Sequence, residues 1–164
     1  MFTIRKLLVF FLLLTALADC KRHKKAILSG DEPVEIQDFI DFFQSVPLPY
    51  QFTENELQKK EKDSLLISYK VFTQFIPDSV LTKIFGKGVK PKIYPMGKVE
   101  IPKQEIYLFA KAILGDKKIA LLVCFSRKLQ FIAGMPILQP DQNAATQQIS
   151  GIDKKLSIFK IDTF

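Results

Sequence analysis

The clearest pattern in the chain is a series of three apolar runs within 105–138, separated by short polar turns at 115–118 and 126–128. The runs are rich in β-branched and aromatic residues, and such runs between short turns are typical of consecutive antiparallel strands. The middle run, from Ile119 to Phe125, is apolar at every position. A strand of this kind buries both faces, so the pattern predicts that it lies in the interior of a sheet.

Helical periodicity precedes these runs. Ile36, Phe39, Ile40 and Phe43 recur on one face of a predicted amphipathic helix, and Pro47 is expected to end that helix soon afterwards. A stripe of phenylalanine at this spacing is typical of a core-facing helix. We therefore expect this face to pack on the predicted strands.

One short amphipathic helix is predicted before Pro77 and another after it, because proline cannot continue a helix. Asp63 or Ser68 is a suitable N-cap for the first of them, and Asp78 or Ser79 is suitable for the second. Gly86 to Gly88 is interpreted as turn chemistry that ends the second helix.

Two further segments carry weaker patterns. Residues 52–63 are predicted to form a linker or a short exposed helix, since Thr53 and Glu56 have the spacing of a capping box. Residues 92–101 are predicted to form a pair of short strands. Pro95 restricts the first of them to an edge or a bulge.

Together these elements predict an α+β fold, in which an antiparallel β-meander of about five strands is covered on one face by helices from the N-terminal half. The chain of 164 residues is 48% hydrophobic, which allows one domain with a sizeable core. The predicted organisation is a signal peptide at 1–19, a basic tether at 20–30 and a single α+β domain at 31–164. Residues 149–164 are expected to close the domain with a further hairpin.

The second face of this predicted sheet lacks cover, because the helices supply one side only. The chain also stops at Phe164 inside a strand-like run. Apolar patches of several hundred Å² are seldom left exposed on a monomer. We therefore expect either further residues after Phe164 or a protein partner, such as a second copy, on the second sheet face.

Residues 1–19 have the layout of an export signal. Arg5 and Lys6 precede an apolar run at 7–14, which is followed by small residues. The apolar run is shorter than the roughly 20 residues that cross a bilayer as a helix. An ordinary signal peptidase could cut after Ala18, and the mature chain would then start at Asp19.

A second cleavage site overlaps the first. Leu17-Ala18-Asp19-Cys20 resembles the lipobox of bacterial lipoproteins, with a departure at Asp19, where that family prefers Gly, Ala or Ser. The resemblance covers this N-terminal segment only. It implies cleavage before Cys20, lipidation of Cys20, and an exported protein that is anchored to a membrane in the periplasm or at the cell surface.

The charge pattern fits a membrane more readily than a nucleic acid. The formal charge is +7 and falls to about +6 once residues 1–19 are removed. A basic cluster at 21–25 follows Cys20 directly and is attracted to anionic headgroups if the chain is anchored there, although the same cluster also suits a solvated tether. No basic run is interleaved with aromatic residues, so we expect no nucleic-acid partner.

Residue counts exclude most catalytic chemistry. His23 is the only histidine and falls in the tether, which excludes Ser-His-Asp and Cys-His sites in the domain. Apart from Cys20, the only cysteine is Cys124, interpreted as a buried thiol, so neither a zinc site nor any cofactor is predicted. A paired-carboxylate hydrolase needs only two acidic side chains. The candidates for such a pair are Asp31, Asp38, Asp41, Glu100 and Glu105.

These observations favour a non-enzymatic role: an exported, lipid-anchored structural or interaction module of the bacterial cell envelope. A soluble secreted binding domain is the first alternative and follows from cleavage after Ala18. A paired-carboxylate hydrolase is the second.

Overall fold

The computed structural model describes residues 26–140 and 147–163, which form four α-helices, one short 3-10 turn and seven strands. The helices are α1 (Ile36–Asp41), α2 (Glu54–Gln58), α3 (Tyr69–Phe75) and α4 (Asp78–Phe85). The strands are β1 (Tyr50–Thr53), β2 (Lys92–Glu100), β3 (Glu105–Leu114), β4 (Lys117–Ser126), β5 (Phe131–Leu138), β6 (Gln147–Ile152) and β7 (Ile158–Thr163). The predicted α+β class is confirmed. Cys20, the predicted signal peptide and tether residues 20–25 lie outside the described residues.

The predicted meander is present as an antiparallel sheet in the order β2-β3-β4-β5. Its interior strand β4 pairs with β3 on one side, where Leu108 lies opposite Val123, and with β5 on the other. The meander contains four strands rather than about five. The final hairpin, β6 and β7, belongs to a second antiparallel sheet in the order β1-β6-β7, because β6 pairs with β1 instead of with the meander.

Residues 92–101 form one long strand rather than two short ones. The register between β2 and β3 shifts between Pro95 and Gly97, which is a β-bulge at Met96. β2 is an edge strand of this sheet, and the Ile93 carbonyl bonds to Ile67 on its outer side. Backbone groups alternate in direction along a strand, so the Pro95 nitrogen also points away from β3 and its missing N–H costs no ladder hydrogen bond. The extra residue also exchanges the faces of the strand beyond it, so Lys98 lies opposite Leu108.

Helices α1, α3 and α4 pack on one face of the meander. Phe39 of α1 is 0% exposed and has edge contacts with Phe72 of α3 and Phe125 of β4, at ring-centroid distances of 6.2 and 6.5 Å. The same apolar cluster contains alternate residues of the two interior strands, such as Leu108 and Leu121. Burial of aromatic side chains in this cluster stabilises the packing of these helices on the sheet.

The second face of the meander is covered within the chain. Phe52 of β1, Leu57 of α2 and Ile152 of β6 form a cluster with Phe109 and Leu122 on that face. The expectation that the chain itself supplies no cover for this face is therefore wrong. The cover was not predicted because β1 lies in a polar stretch and pairs with residues about a hundred positions away.

The packed domain begins earlier than residue 31. Leu28 is 1% exposed within the helical cluster, and its carbonyl accepts a hydrogen bond from the Ser68 N–H at 2.7 Å. Ala26 also packs against this cluster. The C-terminal part of the predicted tether at 20–30 is thus part of the domain.

Most local signals in the helical half are confirmed, but the predicted N-cap of α4 is wrong: its N-cap is Pro77, Asp78 is its first residue, and no side chain caps it. The Thr53 N–H donates to Glu56 Oε2 at 2.8 Å, which completes the predicted capping box of α2. Ser68 Oγ accepts from the Val71 N–H and caps α3, whereas Pro77 separates α3 from α4. Two of these helices end where the sequence marks an end: α3 stops just before Pro77, and α4 stops at Gly86.

Replacement of Phe39 by alanine is expected to lower the free energy of unfolding by about 3 to 5 kcal/mol, the usual cost of deleting a buried phenylalanine side chain. Phe39→Leu keeps most of the apolar volume and should lose less than half of this. Urea denaturation of the parent and both variants measures the difference. A loss below about 1 kcal/mol for Phe39→Ala would show that α1 is peripheral to the core.

Candidate functional site

The five candidate carboxylates fall into four locations. Asp31 lines a surface depression beside α3, together with Lys70 and Gln74 of that helix. Asp38 is exposed on α1. The other three, which are Asp41, Glu100 and Glu105, lie at the ends of α1, β2 and β3. The structure brings only Asp41 and Glu100 together.

Lys98 joins these two carboxylates. Its Nζ lies 2.9 Å from Asp41 Oδ1 and 2.8 Å from Glu100 Oε1, and the residue is 5% exposed. Lys98 reaches the helical side of the sheet because of the bulge in β2. The backbone of Lys98 is also held, since its N–H donates to the Gln44 carbonyl and its carbonyl accepts from the Val46 N–H.

Arg127 extends the cluster to the turn after β4. Its Nη1 lies 3.5 Å from Glu100 Oε2, and its Nη2 donates to the Ile101 carbonyl. Glu100 therefore has a cation on each side. The four charged residues connect α1, β2 and the β4-β5 turn, and we call them the Lys98 cluster.

The electrostatics of this cluster do not suit hydrolysis. Lys98, through its hydrogen bond, holds the pKa of Glu100 below the ordinary value of 4.5, although burial opposes this shift. Burial lowers the pKa of Lys98, but the hydrogen bonds and charges of Glu100 and Asp41 outweigh it and raise that pKa. A general acid needs a carboxyl whose pKa is raised, and here the ammonium occupies the space between the two carboxylates. The Lys98 cluster is arranged to hold the helical layer on the sheet.

Glu105 takes part in a separate cluster on the other face of the meander. Tyr107 Oη donates to Glu105 Oε2 at 2.5 Å, and Tyr107 lies opposite Cys124 in the ladder. Burial raises the pKa of the Cys124 thiol to about 11, with a smaller contribution from the charge of Glu105. Because the thiolate is the nucleophilic form, this thiol is unreactive near neutral pH. Cys124 is a free, buried cysteine, as predicted.

A buried lysine fixes the layer that covers the second face. Lys111 of β3 is 1% exposed, and its Nζ donates to the Lys59 carbonyl at 2.6 Å and pairs with Glu61 Oε1 at 2.8 Å. Both acceptors belong to the segment that follows α2. A buried ammonium is tolerated only with such partners, so this contact fixes the position of that segment.

The least expected feature is the location of exposed apolar side chains. Among the described residues, five large hydrophobic side chains are well exposed, and four of them lie on strands β5 and β7: Ile132, Met135, Ile158 and Ile161. Each of these strands is the last of its sheet. An exposed apolar edge strand is a template for pairing with another segment. Sequence alternation predicted the strands but not which of them lie at an edge.

No protein-family model, curated protein or solved structure is significantly similar to the chain. Within residues 26–140 and 147–163, no helix is both long and apolar enough to span a membrane. No group of three or more potential metal-ligating side chains is found in the same part of the chain. A function must therefore be inferred from the clusters and edges of this chain itself.

The Lys98 cluster predicts acid-sensitive stability. Because the folded pKa of Glu100 lies below the unfolded one, the unfolded chain takes up the proton first. The stabilisation is fully present above the ordinary pKa of 4.5 and is lost as the pH falls through the lowered folded value. Glu100→Gln should therefore be less stable than the parent at neutral pH and should lose less stability on acidification from about pH 5 to pH 3.

Urea denaturation at a series of pH values measures how steeply the free energy of unfolding falls on acidification, which is the slope compared here. Asp38→Asn, which removes an exposed carboxylate of α1, is the matched control and should retain the slope of the parent. Equal slopes in the parent and in Glu100→Gln would contradict the role assigned to the cluster.

Proposed function

We propose that this chain is an exported interaction module that is anchored to a membrane of the bacterial cell envelope through acyl chains on Cys20. The lipobox-like segment from Leu17 to Cys20 supports the anchor. Acyl chains contribute about 0.8 kcal/mol per buried methylene, so that several chains give stable attachment. The basic cluster at 21–25 adds attraction to anionic headgroups.

The start of the packed domain supports a position close to the membrane. Five residues lie between Cys20 and Ala26, so the six residue-to-residue steps span at most about 20 Å in any conformation. Leu28, two residues further on, is already part of the core. An anchor at Cys20 therefore holds the domain within roughly its own radius of the bilayer surface.

The observation that carries the interaction role is the concentration of exposed apolar side chains on β5 and β7. In this proposal α1, α3 and α4 cover one face of the meander, and the second sheet together with α2 covers most of the other. The part of the second face that remains open lies at β5. There Met135, which pairs with Leu122, is 48% exposed, and Ala133, which pairs with Cys124, is exposed as well.

The other edge of the meander does not offer such a surface. The Ile67 N–H donates to the Ile93 carbonyl of β2, and Gln44 and Val46 bond to Lys98 of the same strand. Partners are therefore expected to bind through backbone pairing and apolar contact at β5 and β7. A catalytic role has no comparable support, because the one pair of carboxylates that comes together is bridged by Lys98.

Intact mass tests the anchor. The full chain, produced in a bacterium that processes lipoproteins and extracted from membranes with detergent, should start at Cys20 and carry acyl chains. Cys20→Ser should abolish the added mass and move the protein to the soluble exported fraction. A parent chain that starts at Asp19 with an unmodified thiol would instead establish the soluble secreted alternative.

A further inference from the structure

The open edge of β7 is more regular than that of β5. β5 contains Pro136, and its register with β4 shifts twice. β7 contains no proline and pairs with β6 without interruption from Ile158 to Thr163. Among the described residues, β6 is its only neighbour in the sheet. A strand with an uninterrupted ladder on one side presents an equally regular set of backbone groups on the other.

The hairpin fixes which backbone groups face outward. The Asp153 N–H donates to the Ser157 carbonyl at 3.0 Å, and the Asp153 carbonyl accepts from the Leu156 N–H, so both backbone groups of Asp153 point across the hairpin where the ladder starts. Hydrogen-bonded and non-hydrogen-bonded pairs alternate along antiparallel strands. Phe159 and Ile161 therefore bond to β6. The N–H and C=O groups of Ile158, Lys160 and Asp162 point to the open edge.

The side chains of β7 are self-complementary for one register. In an antiparallel pair of identical strands, the two-fold axis is perpendicular to the sheet, and one residue must lie opposite its own copy. If this residue is Ile161, Lys160 lies opposite Asp162 of the other copy on both sides of the axis. If it is Lys160 or Asp162, like charges meet directly, which is unfavourable.

We propose that β7 is a self-association edge, at which a second copy of this chain pairs antiparallel with Ile161 at the two-fold axis. The outward backbone groups of Lys160 and Asp162 then hydrogen bond to their counterparts in the other copy. Ile161, which is 52% exposed, becomes covered by its own copy at a non-hydrogen-bonded position, where opposed side chains are closest. The two three-stranded sheets become one sheet of six strands.

The proposed function does not specify which partner binds at the β7 edge, and here that partner is a second copy of the chain. The pairing does not depend on the anchor at Cys20. Two short strands bury less surface than a standard stable interface. We therefore expect a reversible dimer in the micromolar range rather than a permanent one.

Cysteine cross-linking tests the register. In Ile161→Cys the two Cα atoms are about 4.5 Å apart across the axis, within the range that a disulfide spans. In Thr163→Cys, the control on the same strand face, they are about 14 Å apart along the strands. The full chain purified in detergent and treated with diamide should give a covalent dimer for Ile161→Cys, and little for Thr163→Cys or for the parent with its native cysteines.

Charge reversal tests the pairing independently of disulfide chemistry. Lys160→Asp places two like-charged pairs across the axis and should weaken the dimer about tenfold in sedimentation equilibrium. Asp162→Lys should do the same, and the double variant should restore the parent dissociation constant. Lys154→Asp changes the net charge equally in the β6-β7 turn and should leave the dimer unchanged. All five positions varied in these tests are partly or fully exposed, so the variants are expected to fold.

Several results would overturn the proposal: a monomeric parent at high micromolar concentration, equal cross-linking of Ile161→Cys and Thr163→Cys, or no restoration in the double variant. Hydrogen exchange separates a second copy from another segment of the same chain. Protection of the Lys160 and Asp162 amides should disappear on dilution, and protection that is independent of concentration would refute self-association. None of these outcomes depends on whether Cys20 is acylated.

Discussion

The whole arrangement depends on the need to remove both faces of β4 from water. Every residue from Ile119 to Phe125 is buried, so that neither face of the interior strand tolerates solvent. The chain meets this constraint with two different layers. Helices α1, α3 and α4 lie on one face, where Phe39 is buried, and the second sheet with α2 lies on the other. Burial of apolar surface is the dominant favourable contribution to folding, and here it also sets the order of layers.

How far the fold follows from sequence depends on how local the determining signal is. The capping box at Thr53, the break at Pro77 and the turns of the meander are set by neighbouring residues, and all three could be predicted. The second sheet could not, because β1 has only four residues and its pairing with β6 crosses most of the chain. Short strands with such distant partners leave no periodic pattern to read.

The same distinction applies to the candidate site. A count of acidic residues identifies Asp41 and Glu100, yet their chemistry is decided by Lys98. Its side chain reaches them only because of one extra residue at Met96. A bulge of this kind reverses the faces of a strand and is invisible to alternation. The open edges of β5 and β7 escaped prediction for a related reason, since edge position is a property of the assembled sheet.

The early start of the packed domain affects how often two anchored domains meet, as well as how far each lies from the membrane. With Leu28 already in the core, only a few residues connect Cys20 to a rigid body. If Cys20 is acylated, the domain therefore moves in a thin layer beside the bilayer rather than in three dimensions. Confinement of this kind raises the effective concentration of one domain for another without any new contact. Contacts too weak to persist in dilute solution can then govern how the protein is distributed on the membrane surface.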